Sequence, residues 1–367
     1  MEIIQRANCQ AIFYGDILEQ EARNQIHELL SYDEFKDTFP RFMPDAHAGK
    51  GCVVGTTLRY NDHIWPSLVG CDIACGMTCI EVKKHGTFSL SKLDRAAEEY
   101  IPVKARRRKN RHKFTERIEK GLAELYRHGV PFDMEDAFLQ IGTLGSGNHF
   151  IELDKDAKGK HYLIVHSGSR NLGMLTYEYF MDIAMSNSKG LPRALSYLEG
   201  DNMQSYLECM NILYDFAYWS RQAMLDELMN NAGLISCGET INSVHNYVDT
   251  NDHIIRKGAT SAKKGEKLIV PLNMKDGVLI CEGLGNPEWN YSFAHGAGRK
   301  MSRTEAKKRI TMNDFEKAME GIYTSCLTKN TIDEAPQAYK PVETILDNCE
   351  GSVKILNRIY PEWNFKG

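Results

Sequence analysis

Residues 69–77 read VGCDIACGM. Two glycines bracket Asp72 and Cys75, which lie three residues apart. On a tight turn both side chains reach one point. A carboxylate and a thiolate together suit a borderline divalent transition metal: zinc, manganese, iron or cobalt. A thiolate can also bridge two metals, and two-metal sites recur in phosphoryl chemistry. Taken alone, the same residues read equally as a buried strand with a capping aspartate and an inert cysteine. The decision therefore rests on what surrounds them.

Four glycine-rich segments read as tight functional turns: PDAHAGKGCVVGTT (44–57), GTLGSGNHF (142–150), HSGSRNLG (166–173) and HGAGRKMSR (295–303). Five of the twelve histidines, His47, His149, His166, His245 and His295, sit beside glycine or asparagine or in such turns. One histidine there is usually a hydrogen-bonded turn residue. Packing gives no reason for five. Glycines in GTLGSGNH let backbone N–H groups turn toward an anion. HSGSR and HGAGR each place an arginine four residues after a histidine, and the guanidinium fork matches phosphate oxygens. The chain has no G-x-x-x-x-G-K-[ST], no G-x-G-x-x-G between a strand and a helix, and no G-x-S-x-G. These absences argue against a P-loop NTPase, a Rossmann site and a nucleophile elbow.

The chemically loaded residues run from Asp45 to Lys366, with no Pro/Ser-rich linker and no internal repeat between them. If they share a site, one domain must gather them, so the reading is a single α/β domain over residues 1–367. Apolar spacing predicts helices over 17–30 (capped by Asp16, with Glu19 three later), 89–100, 113–128, 203–229, 312–327 and 342–348. Short β-rich runs at 80–82 and 162–165 predict buried strands. At 367 residues, 42% hydrophobic and 26% charged, the chain is globular rather than disordered. A net charge of −4 argues against gripping nucleic acid over the whole surface, but leaves room for a local basic groove. The run KARRRKNRHK (104–113) carries seven Lys/Arg and is either a solvated face or a phosphate contact. No apolar run is long enough to span a membrane, and the N-terminus lacks a secretory pattern. The expectation is a cytoplasmic protein whose ten cysteines stay reduced.

Seven segments in order, PDAHAGKG, VGCDIACGM, GTLGSGNHF, HSGSRNLG, HNYVD, RKGAT and HGAGRKMSR, resemble the successive signature motifs of the RtcB family, GTP- and manganese-dependent RNA-splicing ligases. The chain is similar to the compact branch of that family. The resemblance implies an α/β (α+β type) domain with a β-rich core wrapped by helices. It implies an enzyme that joins an RNA 3′-phosphate or 2′,3′-cyclic phosphate to a 5′-hydroxyl, with tRNA splicing or RNA repair as its setting. Two manganese ions would be held by Asp72, Cys75, His149, His166 and His245, with Cys75 bridging. His295 would attack GTP and carry GMP as a phosphoramidate, and the RNA 3′ end would then take up the GMP. Asp45 matches an aspartate needed late in the pathway. Asn148, Glu152, Gly296, Ala297, Gly298, Tyr339 and Lys366 would contact the nucleotide, with Glu152 and Lys366 on the guanine. Arg170, Asn246, Lys257, Arg299 and Arg303 would bind RNA phosphates. An accessory activator is compatible with this, and the oligomeric state is not legible.

The chain departs from the family pattern at two places. Pro271, Leu272, Asn273 and Met274 replace a proline-glycine-serine-methionine turn, removing a serine that contacts the nucleotide. Ala74 replaces a common glycine, and Cys71 and Cys79 are extra thiols nearby, read as packing residues. Two other classes compete. A metal-dependent phosphohydrolase would use the same ions with water and need no residue at His295. A non-catalytic RNA-binding relative would have lost ligands, and all five are present.

Overall fold

Side-chain alternation along the strand His161–Ser167 sets the architecture. Leu163 and Val165 pack with Ile80, Val82, Ile151 and Leu153 of neighbouring strands, against Leu93, Ala97, Met224, Leu225 and Leu228 of two helices. Ile164 belongs to a second layer with Met77, Cys79, Phe150, Ile269, Val278, Ile280 and Ile359. In the computed structural model, which describes residues 1–6, 9–188 and 190–367, these strands form a seven-stranded antiparallel sheet. Its order is Lys267–Asn273, Gly277–Gly283, Val353–Lys366, Phe150–Lys155, His161–Ser167, Gly76–Lys84 and Leu234–Val244. The two outermost strands approach each other, and Ile269 N–H donates to Ser243 Oγ at 3.2 Å. The sheet therefore curls around its inner face. On the outside lie the helices Leu90–Tyr100 and Gly200–Ala232. Each fully buried leucine or methionine at that contact contributes roughly 1.5–3 kcal/mol.

A second, six-stranded sheet has the order Glu2–Arg6, Cys9–Phe13, Arg41–His47, Val54–Arg59, Ile254–Lys257 and Asn246–Asp249. One pairing in it, Cys9–Phe13 with Arg41–His47, is parallel. A short pair, Ala259–Ser261 with Ser292–Ala294, leads directly into His295. An antiparallel sheet and a mixed one, wrapped by helices, make this an α/β fold of the α+β type. No helix among the described residues is long and apolar enough to cross a membrane.

Several element boundaries differ from the sequence expectation. The first helix spans Gln20–Leu29 with Glu19 at its N-cap and no side-chain cap. Asp16 instead accepts a hydrogen bond from Asn348. Residues 113–128 are a 3₁₀ turn, Lys113–Arg117, followed by a helix, Glu119–Arg127. The helix expected to reach 327 stops at Ala318, and Gly321 at φ 90° lies just beyond. At 342–348 only Glu343–Leu346 is helical. The largest departure is the helix Arg170–Asn187, which begins inside a segment read as a turn. The 89–100 helix holds, with Ser89 accepting from Lys92 N–H.

Candidate metal centre and adjoining cleft

Four of the five named ligands collect at one end of the seven-stranded sheet. Cys75 precedes Gly76–Lys84 and His149 precedes Phe150–Lys155. His166 lies near the end of His161–Ser167, and His245 follows Leu234–Val244. These strands are antiparallel neighbours, so two starts and two ends coincide. The register pairs His166 with both Met77 and Phe150, and Gly76 with Val244. The Cys75 Sγ lies 3.4 Å from His149 Nε2 and 3.3 Å from His166 Nε2. His149 Nε2 is 3.0 Å from Asp72 Oδ2, and His166 Nε2 is 3.4 Å from His245 Nε2. Two triads result, Asp72–Cys75–His149 and Cys75–His166–His245, each with ligand atoms within 4.8 Å of one another. They share the Cys75 sulfur.

The surroundings orient these donors. His149 Nδ1 faces the Leu144 carbonyl at 2.9 Å and His166 Nδ1 faces the Asn148 carbonyl at 3.1 Å. A carbonyl only accepts, so the proton belongs on each Nδ1 and each Nε2 lone pair is directed at the cluster. Burial and the neighbouring cationic groups push His166 and His245 well below the usual imidazole range, which keeps both in the neutral, ligating form. Burial, and then the Asp72 carboxylate, pushes the Cys75 thiol well up. Burial opposes the charge on Asp72 itself, yet His149 and Arg170 hold it down to about 2. This donor set fits a divalent transition metal, which would deprotonate the thiol outright.

Behind Cys75 lies a fully buried guanidinium, Arg221, which burial pulls down to about 10. It donates to the carbonyls of Ala74 and Ser167 and to Thr78 and Asn242 at 2.8–3.3 Å. It thus clamps the residues flanking Cys75 and His166. Ala74 adopts φ 57°, so the glycine common at this place in the resembled family has a backbone reason. A Cβ at Gly168 would overlap Asp72 Oδ1, so the HSGSR turn needs its glycine there.

His295 faces the same centre from the opposite side. Its ring lies 4.9 Å from that of His245, centroid to centroid. Asp45, 0% exposed, places Oδ2 2.6 Å from His295 Nδ1 and also accepts the His295 backbone N–H at 3.2 Å. Nδ1 therefore donates to the carboxylate and Nε2 carries the lone pair. Gly298, at φ 72°, lets the HGAGR turn pass directly over the Asp45 carbonyl. His47 lies beside this pair, its Nδ1 3.1 Å from the Asp45 carbonyl, and burial lowers it to about 4.

A cleft of about 630 Å³ opens over these groups. Asn148, Gly296, Ala297 and Gly298 line it, with Glu152, Tyr339 and Lys366 at one side. Strand alternation puts Glu152 on the inner face of the sheet, where Asn364 Nδ2 donates to its Oε1. Burial raises Glu152 to about 7, against the pull of Lys366. Lys366 Nζ lies 3.2 Å from Glu334 Oε2, and Tyr339 O–H donates to that same oxygen at 2.6 Å. Arg299 and Arg303 reach Glu334 Oε1 at 3.2 and 3.4 Å. Glu334, 2% exposed, is the hub of this side of the cleft. Burial opposes its charge, but Lys366, Arg303, Tyr339 and Arg299 hold it down to about 2.

Asn273 does not stand free for a ligand. Its oxygen accepts from the N–H groups of Lys275 and Asp276, and its nitrogen donates to Asp276. The residues expected at RNA phosphates are also engaged. Asn246 bridges the Asp72 carbonyl and Gly258 N–H. Lys257 Nζ lies 2.7 Å from Cys52 Sγ and 2.9 Å from the Ser67 carbonyl. Arg170, at φ 60°, turns behind His149 toward Thr143 and the Lys104 carbonyl. In the basic run, Arg107, Arg108, Arg111 and Lys113 pair with Asp136, Glu227, Glu135 and Asp226. That run mainly ties its loop to two helices. Cys79 is buried, and Cys71 lines the cleft.

Sequence reading did not place Glu334, Arg221 and Asn364 in the site, and it marked His47 among the turn histidines without a role. A signal existed for Glu334: DEAP (333–336) precedes Tyr339, itself singled out, by a few residues. Nothing in the periodicity separates Arg221 from any other helical arginine.

Glu334→Gln is expected to leave the buried Lys366 and the partly buried Arg299 without their counter-charge, costing about 3–5 kcal/mol. Thermal denaturation should show a fall in Tm of roughly 4–7 °C. A Tm equal to that of the parent protein would contradict the hub. Because its carboxyl is held down to about 2, the contribution is complete above about pH 4.5 and lost as pH falls toward 2.

A family model described as tRNA-splicing ligase RtcB matches residues 37–367. The chain is 32% identical over 360 residues to an RNA-splicing ligase RtcB of Escherichia coli K12, covering 86% of each chain. It is 30% identical to an RNA-splicing ligase RtcB2 from another Escherichia coli strain, covering 83% of this chain and 81% of the relative. A tRNA-splicing ligase RtcB of Nanoarchaeum equitans is 26% identical over 418 residues, covering 89% and 87%.

Proposed function

The chain belongs to the RtcB family, and from that premise we propose that it is an RNA ligase acting through His295. It joins 3′-phosphate or 2′,3′-cyclic phosphate ends to 5′-hydroxyl ends, with GTP as the activating nucleotide, and residues 1–367 act as one catalytic domain. The observation that carries this reading is the Asp45–His295 pair, set against a Cys75-sharing ligand cluster in one cleft. A hydrolase that activates its water on the two metal ions needs no imidazole oriented in this way.

The residues divide the work. The resemblance implied a late step for Asp45, but its contacts with His295 assign it to the first: it fixes the His295 tautomer, so Nε2 attacks the α-phosphorus of GTP while the bond to pyrophosphate breaks. Asp72, Cys75, His149, His166 and His245 would hold two manganese ions, which supply charge neutralisation for the triphosphate. Glu152 and Lys366 would read the guanine, and Glu334 keeps Lys366 and Tyr339 in place. The RNA 3′-phosphate then takes GMP from His295, and the 5′-hydroxyl displaces GMP in turn. A cyclic phosphate is first opened by hydrolysis. Cytoplasmic placement accords with a reduced Cys75.

The test is joining of two RNA strands, one ending in a 3′-phosphate and the other beginning with a 5′-hydroxyl. A joined product that requires both GTP and manganese is the expected result. Joining without a nucleotide, or only of 5′-phosphorylated strands, would contradict the reading.

A pH effect follows from Glu152. Its carboxylate accepts from guanine N–H groups, so the ionised form binds. With Glu152 raised to about 7 by burial, kcat/KM for GTP should rise roughly tenfold between pH 6 and pH 8. Glu152→Gln should flatten that dependence while lowering the plateau. An unaltered slope in the variant would assign the titration to another group.

A further inference from the structure

The cleft extends beyond the groups assigned above. Its other side is lined by Lys50, Ser67, Cys71, Met174, Tyr177 and Arg193, none of which the ligase reading uses. We propose that this side receives the first nucleotide of the 5′-hydroxyl RNA strand, with its base against Tyr177 and Met174 and its phosphate on Lys50 and Arg193. The inference rests on the ligase reading and deepens it.

Three observations carry it. The first concerns place. Glycine at 173 lets the helix Arg170–Asn187 rest on the loop of Asp72 and Cys75: a Cβ there would meet the Cys71 carbonyl oxygen at 3.0 Å. Tyr177 follows one turn later, about 5–6 Å along the helix. An aromatic platform thus stands beside the metal ligands.

The second concerns free cations. A phosphodiester needs donors that are not already spent. Arg299 gives its donors to the Met301 and Asp333 carbonyls and to Glu334. Arg303 faces Asp333 and Glu334, and Lys257 faces Cys52 and Ser67. Lys50 is exposed and makes no ion pair or side-chain hydrogen bond among the described residues. Arg193 is exposed and, among the described residues, has only a long 3.8 Å contact to Asp182 and one to the Met185 sulfur. These two are the unspent cations of the cleft.

The third concerns the shape of the reaction. In-line displacement brings the 5′-hydroxyl to the phosphorus opposite the departing GMP. GMP leaves toward Glu152, Tyr339 and Lys366, so the incoming strand needs the remaining side. An aromatic ring flanked by cations is the usual platform for an unstacked nucleotide of a single strand. Tyr177 is half-buried, and its hydroxyl is tied to Ser67 Oγ at 3.2 Å, so the ring is already ordered. Met174 is 39% exposed beside it. Glu178, also on this side, offers an acceptor for a ribose hydroxyl.

The test measures equilibrium binding of a short single-stranded RNA with a free 5′-hydroxyl and a fluorophore on its 3′ end, without GTP. Tyr177→Ala should weaken binding roughly tenfold, and Tyr177→Phe should restore it. The double variant Lys50→Gln, Arg193→Gln should weaken binding and make the plot of log Kd against log salt shallower by about 1.4. Unchanged affinity and salt slope in the double variant, whose two positions are exposed and do not support the core, would overturn the proposal. An equal loss for a second probe, labelled at its 5′ end and carrying a free 3′-phosphate, would overturn the assignment to the 5′-hydroxyl strand. Guanylylation of the same preparations is scored separately. A parent protein that fails to take up GMP but loses RNA affinity in these variants would reject the ligase reading and leave the RNA site standing.

Discussion

Asp45→Asn is expected to slow guanylyl transfer onto His295 by about 10³- to 10⁴-fold, the size of effect that follows when the orienting carboxylate of a catalytic histidine is neutralised. The geometry explains why so small a change matters. A single oxygen of Asp45 accepts both the His295 ring Nδ1–H at 2.6 Å and the His295 backbone N–H at 3.2 Å. The other oxygen is buried with no partner among the described residues. An asparagine has two ways to sit there. With its oxygen toward His295, its NH₂ is buried without an acceptor, at a cost of about 1–3 kcal/mol. With its NH₂ toward His295, Nδ1 must accept, the ring proton moves to Nε2, and the nucleophilic lone pair is lost. Single-turnover labelling with α-labelled GTP reads the rate directly. A rate within tenfold of the parent would remove Asp45 from this role. His295→Ala removes the nucleophile and should abolish labelling, whereas a water-using phosphohydrolase would tolerate it.

Cys75→Ala is expected to abolish tight binding of divalent metal at both triads. The sulfur is the one atom common to them. Without it, His166 and His245 are left as one pair of donors and Asp72 and His149 as another. Two donors with no thiolate do not complete a structural or catalytic transition-metal site. The loss should exceed the 10- to 100-fold that follows from disturbing an outer hydrogen bond to a ligand. Manganese titration by calorimetry measures it, and cobalt substitution adds a signature: the thiolate-to-cobalt absorption band should vanish. Undiminished manganese affinity in Cys75→Ala would mean that the metal sits elsewhere. Because the ligase and hydrolase readings share these ligands, this result tests the metal centre and leaves the choice between them to His295.

Residues that carry their chemistry in local pattern were legible. Glycine-flanked Asp72, Cys75, His149, His166 and His295 stand out because a turn with a polar, ligating side chain has few packing explanations. The structure brings the first four and His245 within ligand distance. The helix over 89–100 was legible because Ser89 caps it and its apolar face is regular. The helix Arg170–Asn187 was hidden because its first turn is the glycine-containing RNLG, and because it has apolar residues on several faces and so lacks a clear stripe. Glu334 was hidden for another reason. A buried carboxylate is defined by the cations that surround it, and here these come from positions 299, 303 and 366. The two readings of the basic run stayed open in the sequence for the same reason. Its partners lie 24–119 residues away, and only the tertiary fold shows that Arg107, Arg108, Arg111 and Lys113 are paired with carboxylates.

The decisive measurement is labelling of the parent protein with GTP carrying the label at either the α- or the γ-phosphate, in the presence of manganese, followed by a denaturing gel and acid treatment. A covalent His295–GMP requires a band from the α-label alone, stable to denaturation and lost in acid as a phosphoramidate should be. No band from either label, in protein shown by titration to hold manganese, would contradict guanylyl transfer and turn the same cleft into that of a hydrolase.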